Sequence, residues 1–432
     1  MKRVDIAFVE LWGDLVGAVN WDSSRGFAAF EYDKPFLEKG LDLAPLKMPL
    51  AEARQRSPIF DFRALPKQTF QGLPGLLADT LPDNFGNAII DTWLAQQGRT
   101  RASFSPVERL CYIGKRGMGA LEFSPVIDES VEESVPVEIS ELIKLAQKIT
   151  DDRSKLTGKL EYTSKALLNI IRVGTSAGGN RPKAVLAFNP ETKEVRSGQV
   201  SALPGFDYWV LKFDGVTDQS LGDPAGYGRI EYAYYKMATA ARINMMKCQL
   251  LEEDGRAHFM TQRFDRTRNC DKLHMLSLCA MAHFDFNSPG AYSYEQVFQV
   301  MRQLRLPYKD AEQQFRRMVF NVVARNQDDH TKNISFLMDK NGAWRLSPAY
   351  DVIYSYNPAG PWTSMHQMSI AGKRDQFTRD DLNGIGQEMN IKSSNKIIDE
   401  IVETVSDWPS YAKDAGVEQS QVEGIGIVHR LL

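Results

Sequence analysis

An α+β chain in three parts is what the sequence predicts: a small β-rich domain, a mixed α/β lobe and a mainly helical lobe, in that order. Three observations predict it. The amino-terminal stretch is made of short β-branched and aromatic runs cut by turn residues, and the middle alternates strand-like with helix-like segments. From about Asp271 onward, apolar residues recur at helical spacing. With 432 residues, 43% of them hydrophobic and 25% charged, the chain has the make-up of a globular protein of roughly two or three domains. A formal charge of −3 gives no general attraction to nucleic acid and leaves room only for a local basic patch.

The first domain, residues 1–125, begins as a β-meander. "VDIAFVELW", "LVGAVNW" and "GFAAFEYD" are strand-like runs separated by "GD" and "DSSRG" turns. In "LLADTLPDNFGNAIIDTWLAQQG", Pro82 follows a short helix and "NAIIDTWLA" has helical spacing. "FSPVERLCYIGKRGMGALEFSP" reads as helix, glycine-rich loop and strand. Residues 126–138, "VIDESVEESVPVE", are acidic and poor in apolar residues, which marks a linker.

The mixed lobe, residues 139–268, opens on the helical pattern of Ile139, Leu142, Ile143 and Ala146. "IIRVGTSAGGNRPKAVLAFN" and "FDYWVLKFDG" supply two candidate strands, "RIEYAYYKMATAARI" a helix and "HFMTQRFDR" another strand. The helical lobe, residues 269–432, is clearest in "EQQFRRMVFNVVARN", where Phe315, Met318, Val319, Val322 and Val323 share one face.

Cys111, Cys248, Cys270 and Cys279 have no C-x-x-C spacing, so they point to free thiols in a reducing compartment rather than to zinc or disulfides. In "MKRVDIAFVELWGDLVG" the apolar run is broken by Asp5, Glu10 and Asp14, unlike a signal peptide, and no window approaches the ~20 apolar residues of a membrane span. A cytoplasmic protein with no membrane contact is expected.

Chemistry concentrates in "VVARNQDDHTKNISFLMDKNGAWRLSPAYDVI", Val322 to Ile353. Phosphoryl transfer asks a protein for positioning and for cations against developing charge. Magnesium takes hard oxygen ligands, one or two of them from side chains. An acid five residues before an asparagine, D-x-x-x-x-N, is the spacing that protein kinases use for base and metal ligand. Asp328 to Asn333 has that spacing and Asp329 to Asn333 does not, so Asp328 is the candidate base and Asn333 a candidate magnesium ligand. "ISFLMD" and "AWRLSP" alternate as strands, and Asn341-Gly342 predicts a two-residue hairpin between them. The hairpin would return Asp351 to Asn333, where both could hold one Mg2+. His330 lacks a second histidine at metal-motif spacing and is expected to orient Asp328 or Asp351. Lys332 either holds phosphate or neutralises the acids.

A phosphate donor also needs a cation and a backbone cradle. Lys212 sits in an otherwise apolar strand, where it either meets an anion, with Glu231 as the acid on a neighbouring helix, or snorkels from a sheet edge. Thr175, Ser176, Ala177 and Gly178 lie in a loop of small residues whose amides can nest around anionic oxygens, although the loop carries no GK[ST] and no G-x-G-x-x-G. A phosphate on one of its hydroxyls would repel nucleotide. Gln262 and Phe264, in the hinge-like "TQRFDR", are candidates for lining an adenine pocket.

Taken in order, "AGGNRPKA", "WVLKF", "RIEYAYYKMA", "QRFDR", "DDHTKN" and "LSPAYDVI" resemble the HipA-like serine/threonine kinases of bacterial type II toxin–antitoxin systems. "LKMPL", "GLLADTLPDN" and "YIGKRGMGAL" extend the resemblance to that family's amino-terminal domain, so it spans nearly the whole chain. The resemblance implies a protein-kinase-like two-lobed fold carrying a small N-terminal β-rich subdomain. It places Asp328 on the catalytic acid, Asn333 and Asp351 on the magnesium ligands and Lys212 on the nucleotide-phosphate lysine. His330 and Lys332 fall on the H-x-K-N positions. It also implies ATP and Mg2+ as cofactors and autophosphorylation of the phosphate loop, with Ser176 and Thr175 as the two candidates. A protein substrate, in known cases an aminoacyl-tRNA synthetase, is implied as well, together with persistence. The expected partner is a helix-turn-helix (HipB-like) antitoxin, through which operator DNA would be reached. Two competing readings share these residues: a small-molecule kinase, and an ATP-binding co-repressor module acting with a DNA-binding partner.

Overall fold

The computed structural model describes residues 3–127, 133–155, 171–174, 181–216, 226–253, 255–267 and 270–432. The chain divides into two compact units. One comprises Met1–Ala225, Leu251–Leu276 and Met338–Ala343, and the other Gly226–Leu250, Ser277–Leu337 and Trp344–Leu432.

The first unit contains two antiparallel sheets. Strands β1 (Ile6–Leu11), β2 (Asp14–Asp22), β3 (Phe27–Tyr32), β4 (Ile59–Asp61) and β5 (Leu121–Ser124) form a sheet in the order β4-β3-β2-β1-β5. Alternation sets its faces: Ala7, Val9 and Leu11 are buried while Ile6 and Phe8 point outward. Gly17 is required by close approach, since a Cβ there would lie 2.1 Å from the Glu31 carbonyl oxygen on the paired strand. The helix Pro106–Ile113 starts where its sequence says it should. Ser105 Oγ accepts from the Glu108 amide at 3.1 Å, Glu108 Oε2 accepts from the Ser105 amide at 2.9 Å, and Pro106 occupies the first turn.

The second sheet holds β6 (Lys183–Phe188), β7 (Val195–Ser197), β8 (Asp207–Lys212), β9 (Cys248–Glu253) and β10 (Arg256–Gln262), in the order β7-β6-β8-β10-β9. Every residue of β6 is buried, as suits a strand covered on both faces. One apolar core joins this sheet, through Leu186, Leu211 and Met260, to two helices. Ile89 and Trp93 come from Asn84–Gln96, and Leu142 and Ala146 from Ile139–Lys155. The strands β4 and β7 have three residues each, too few to show a period of two, and sequence patterning missed them.

A buried charge cluster lies just beyond β10. Asp265 accepts from Arg263 Nη2 at 2.8 Å, Arg266 Nη1 at 2.7 Å and the Gly119 amide at 2.7 Å, with all three charged side chains fully inaccessible. Arg266 also donates to the Gly117 and Gly119 carbonyls, so the glycine-rich loop before β5 is stitched to the chain after β10. Burial alone would push the Asp265 carboxyl up, but the two guanidinium groups and the amide hold it below the ordinary carboxylate range.

In the second unit, helices Tyr294–Gln303, Tyr308–Val323, Arg379–Glu388 and Ser394–Ser406 dominate. Of the remaining strands, β11 (His274–Ser277), β12 (Ser335–Met338) and β13 (Trp344–Leu346), the last two form the hairpin. Its turn corrects the sequence reading. Asp339 N donates to the Ala343 carbonyl, Gly342 N donates to the Asp339 carbonyl at 3.0 Å, and Gly342 is left-handed at φ +79°. That is a three-residue loop, Lys340 to Gly342, rather than the two-residue Asn-Gly turn. The Asp339 carboxylate explains the change, because it accepts from the Asn341 amide at 2.8 Å and the Ala343 amide at 3.1 Å. Among the described residues no helix is long and apolar enough to cross a membrane.

Replacing Asp265 with alanine would leave two buried guanidinium groups without a counter-charge, a loss of about 3–5 kcal/mol by the usual cost of breaking a buried ion pair. Urea unfolding of the full chain should show a drop of that size.

Candidate active site

The helix Tyr308–Val323 delivers the chain to the site. Its apolar face is core, and its end is followed by Arg325, left-handed at φ +57°, which turns the backbone away from the helical path. Residues 326–330 are irregular, Thr331–Asn333 form a 3₁₀ turn, and β12 begins two residues later. The turn is fixed by side chains: Asn333 Nδ2 donates to the Asp328 carbonyl at 2.8 Å, and Thr331 Oγ1 donates to the Phe284 carbonyl at 2.8 Å. Since the Asn333 nitrogen is committed to backbone, its carboxamide oxygen is the atom left to face a ligand.

After the hairpin the chain comes back. Ser347 N donates to the Ser335 carbonyl at 2.9 Å, and the Tyr350 hydroxyl donates to the Lys332 carbonyl at 2.7 Å. Asp351 follows at φ +52°, a left-handed conformation uncommon for non-glycine residues though tolerated better by Asp than by most. One cavity is lined by His330, Asn333 and Asp351 together with Asp329 and Tyr350. A carboxylate and a carboxamide oxygen on one cavity are hard donors that fit Mg2+, with phosphate and water supplying the remaining positions. Among the described residues no group of three or more His, Cys, Asp or Glu side chains is placed to hold a metal by itself.

The consecutive acids are opposites. The Asp328 side chain is 40% exposed, and its Oδ1 accepts from Trp362 Nε1 at 2.7 Å with His330 Nε2 at 3.8 Å. The Asp329 side chain is 1% exposed and accepts from the Tyr294 hydroxyl at 2.8 Å, His366 Nδ1 at 2.8 Å and the Gln367 amide at 2.7 Å. Burial raises the Asp329 carboxyl, yet His366, the Gln367 amide and Tyr294 outweigh it, and the net direction is downward. Burial, then the Asp329 charge, push the Tyr294 phenol far up, so it stays a proton donor. Lys332 Nζ lies 5.4 Å from the centroid of the Phe286 ring.

The other sequence candidates fall on both units. Lys212 ends β8, opposite Phe259 of β10, with its Nζ 5.7 Å from that ring centroid. Gln262 ends β10, and Phe264 lies just past the strand, flanked by Arg263 and Asp265 of the buried cluster. Glu231 is buried on the helix Tyr227–Ala240 of the second unit. Thr175, Ser176, Ala177 and Gly178 lie outside the described residues. Sequence reasoning missed Lys183, which stands directly across from Lys212 and reaches Asp83 Oδ2 at 3.5 Å, with both side chains buried. The signal was available in "RPKAVLAF", a lysine leading an apolar strand just as Lys212 ends one. It also missed Trp362 and His366, which no spacing rule connects to residues 328 and 329.

Comparison with known proteins bears on the same regions. The model of the HipA N-terminal domain matches residues 7–124, and the model of the HipA-like C-terminal domain matches residues 175–408, more than half the chain. The chain belongs to the HipA family. Among solved structures, the HipA-family fold is seen in "Shewanella oneidensis MR-1 Toxin Antitoxin System HipA, HipB and its operator DNA complex", at TM-score 0.67 and 17% identity, over 98% of this chain and 94% of that one. A curated relative, "Putative kinase Y4mE" of Sinorhizobium fredii (strain NBRC 101917 / NGR234), is 24% identical over 217 residues, 48% of this chain but only 43% of the relative's length. Likeness to the Helicobacter pylori proinflammatory kinase CtkA is slight, at TM-score 0.34 and 11% identity over 52% of this chain and 88% of that one. The HipA-family chain is thus of mixed helix and sheet, with the paired domains of its family in the expected order.

Because the folded-state pKa of Asp329 lies below its ordinary value of 3.8, its ionised form adds stability above the unfolded pKa, and that stability is lost as the pH falls through the folded one. Asp329→Asn should therefore flatten the acid limb of the stability curve below about pH 4, read by thermal melting against pH.

Proposed function

We propose that this HipA-family chain is an ATP-dependent Ser/Thr protein kinase that acts as the toxin of a toxin–antitoxin pair. The observation that carries the reading is the cavity shared by His330, Asn333 and Asp351, with the exposed Asp328 five residues before Asn333 and its carbonyl accepting from the Asn333 side chain. A relative whose printed name includes kinase, and a solved HipA bound to HipB and operator DNA, support it.

In the proposed reaction Asp328 receives the proton of an acceptor hydroxyl as that oxygen forms a bond to the γ-phosphorus, and the bond from the γ-phosphorus to the ADP oxygen breaks. Asn333 and Asp351 hold Mg2+. When bound, Mg2+ neutralises charge on the phosphate oxygens. Lys212 is assigned to the nucleotide phosphates, with Glu231 and Lys183 as further charged candidates. Gln262 and Phe264 are assigned to the adenine. Lys332 completes the charge balance at the catalytic loop. Exposure separates the two acids: a substrate hydroxyl can reach Asp328 and cannot reach Asp329. We further propose a protein acceptor, an aminoacyl-tRNA synthetase by family analogy, autophosphorylation at Ser176 or Thr175, and neutralisation by a HipB-like helix-turn-helix partner that contacts operator DNA.

Incubating the chain with Mg-ATP labelled in the γ-phosphate, with and without a protein extract, tests the reading. Label should enter protein rather than small metabolites, and intact mass should show phosphate added to the chain itself. Asp328→Ala and Asp351→Asn should each cut transfer by roughly a thousandfold or more, because positioning and electrostatics are most of this catalysis. Transfer within tenfold of the parent would show that other acids do the work. Under the same conditions Lys212→Ala should raise the KM for ATP more than it lowers transfer at saturation.

A further inference from the structure

The segment from Trp362 to Gln367 is gripped at both ends by adjacent acids of the catalytic loop. At one end Trp362 Nε1 donates to Asp328 Oδ1 at 2.7 Å. At the other, His366 Nδ1 and the Gln367 amide meet the two oxygens of Asp329 at 2.8 and 2.7 Å. The Gln367 side chain donates back to the Trp362 carbonyl, so the segment is closed on itself. Asp329 is in turn held by the Tyr294 hydroxyl, itself held by Asn321 Nδ2 at 3.0 Å on the helix that leads into the loop.

This arrangement has a chemical consequence for Asp328. An indole nitrogen is a donor only, so its bond to a carboxylate is charge-assisted and has one direction. The nearer neighbours, Trp362 and His330, both address Oδ1. A side chain 40% exposed would otherwise move among rotamers in water. We infer that Trp362 is a positioning residue of the phosphotransfer site: its indole N–H, anchored through Asp329, His366 and Gln367, fixes the Asp328 carboxylate with Oδ2 turned to the acceptor hydroxyl. Trp362 touches neither nucleotide nor metal in this assignment, so its effect belongs to the transfer step and not to ATP binding. The inference rests on the kinase reading above.

Trp362→Phe keeps the ring and deletes the donor. In the full-length chain with labelled Mg-ATP and its own phosphorylation as readout, the variant should lower kcat by about 10- to 100-fold, the scale of an ångström-sized misplacement of a reacting group. The KM for ATP, the affinity for a fluorescent ATP analogue and the melting temperature should stay as in the parent. A variant with kcat within twofold of an active parent overturns the inference and leaves the kinase reading standing. Parallel loss of ATP affinity or of melting temperature also overturns it, by making the ring a packing element. A parent that transfers no phosphate with Mg-ATP defeats the kinase reading itself, a different result from either.

Discussion

The second unit depends on one buried carboxylate. Asp329 is almost inaccessible, and an ion in that place is tolerable only because three donors converge on it: a phenol, an imidazole and a backbone amide. Those donors come from two separate stretches of chain, residue 294 and residues 366–367, so satisfying one charge fixes two segments around the loop. Everything distinctive about the neighbouring residue follows. Asp328 faces outward because Asp329 faces inward, and the backbone between them cannot rotate without stranding a charge.

The first unit uses the same device, a buried carboxylate ringed by donors, with two full positive charges among them. Two arginines and a backbone amide close on Asp265, and Arg266 also donates to the Gly117 and Gly119 carbonyls of the glycine loop. The net effect ties the region matched by the family's amino-terminal model to the end of β10 without relying on apolar contact alone. Such clusters add little net stability when formed from water, yet they are costly to break, which makes them better at fixing geometry than at strengthening a fold.

Much of this was legible in the sequence. The meander, the capped helix at "SPVE" and the amphipathic helix before the loop all announce themselves through local rules, because period, caps and turn residues act within a few positions. Spacing alone separates Asp328 from Asp329 in the sequence, and the folded chain gives the two side chains opposite exposures. The hairpin was found but its turn was not, since the Asp339 side chain takes the Ala343 amide that a two-residue Asn-Gly turn would bond to the Lys340 carbonyl. Trp362 and His366 were invisible for a different reason. They act across about 35 residues of sequence, a separation at which no periodicity or motif carries information and only the folded chain brings donor to acceptor. Lys183 was overlooked although its signal was as good as that of Lys212.

The left-handed backbone at Asp351 has an evolutionary side. Any side chain there resists the conformation, and glycine alone adopts it freely, at the cost of a floppier unfolded chain. Asp and Gly codons differ by a single base. On the kinase reading proposed above, one base change could therefore delete the Asp351 carboxylate at a position where glycine holds the same backbone conformation without strain.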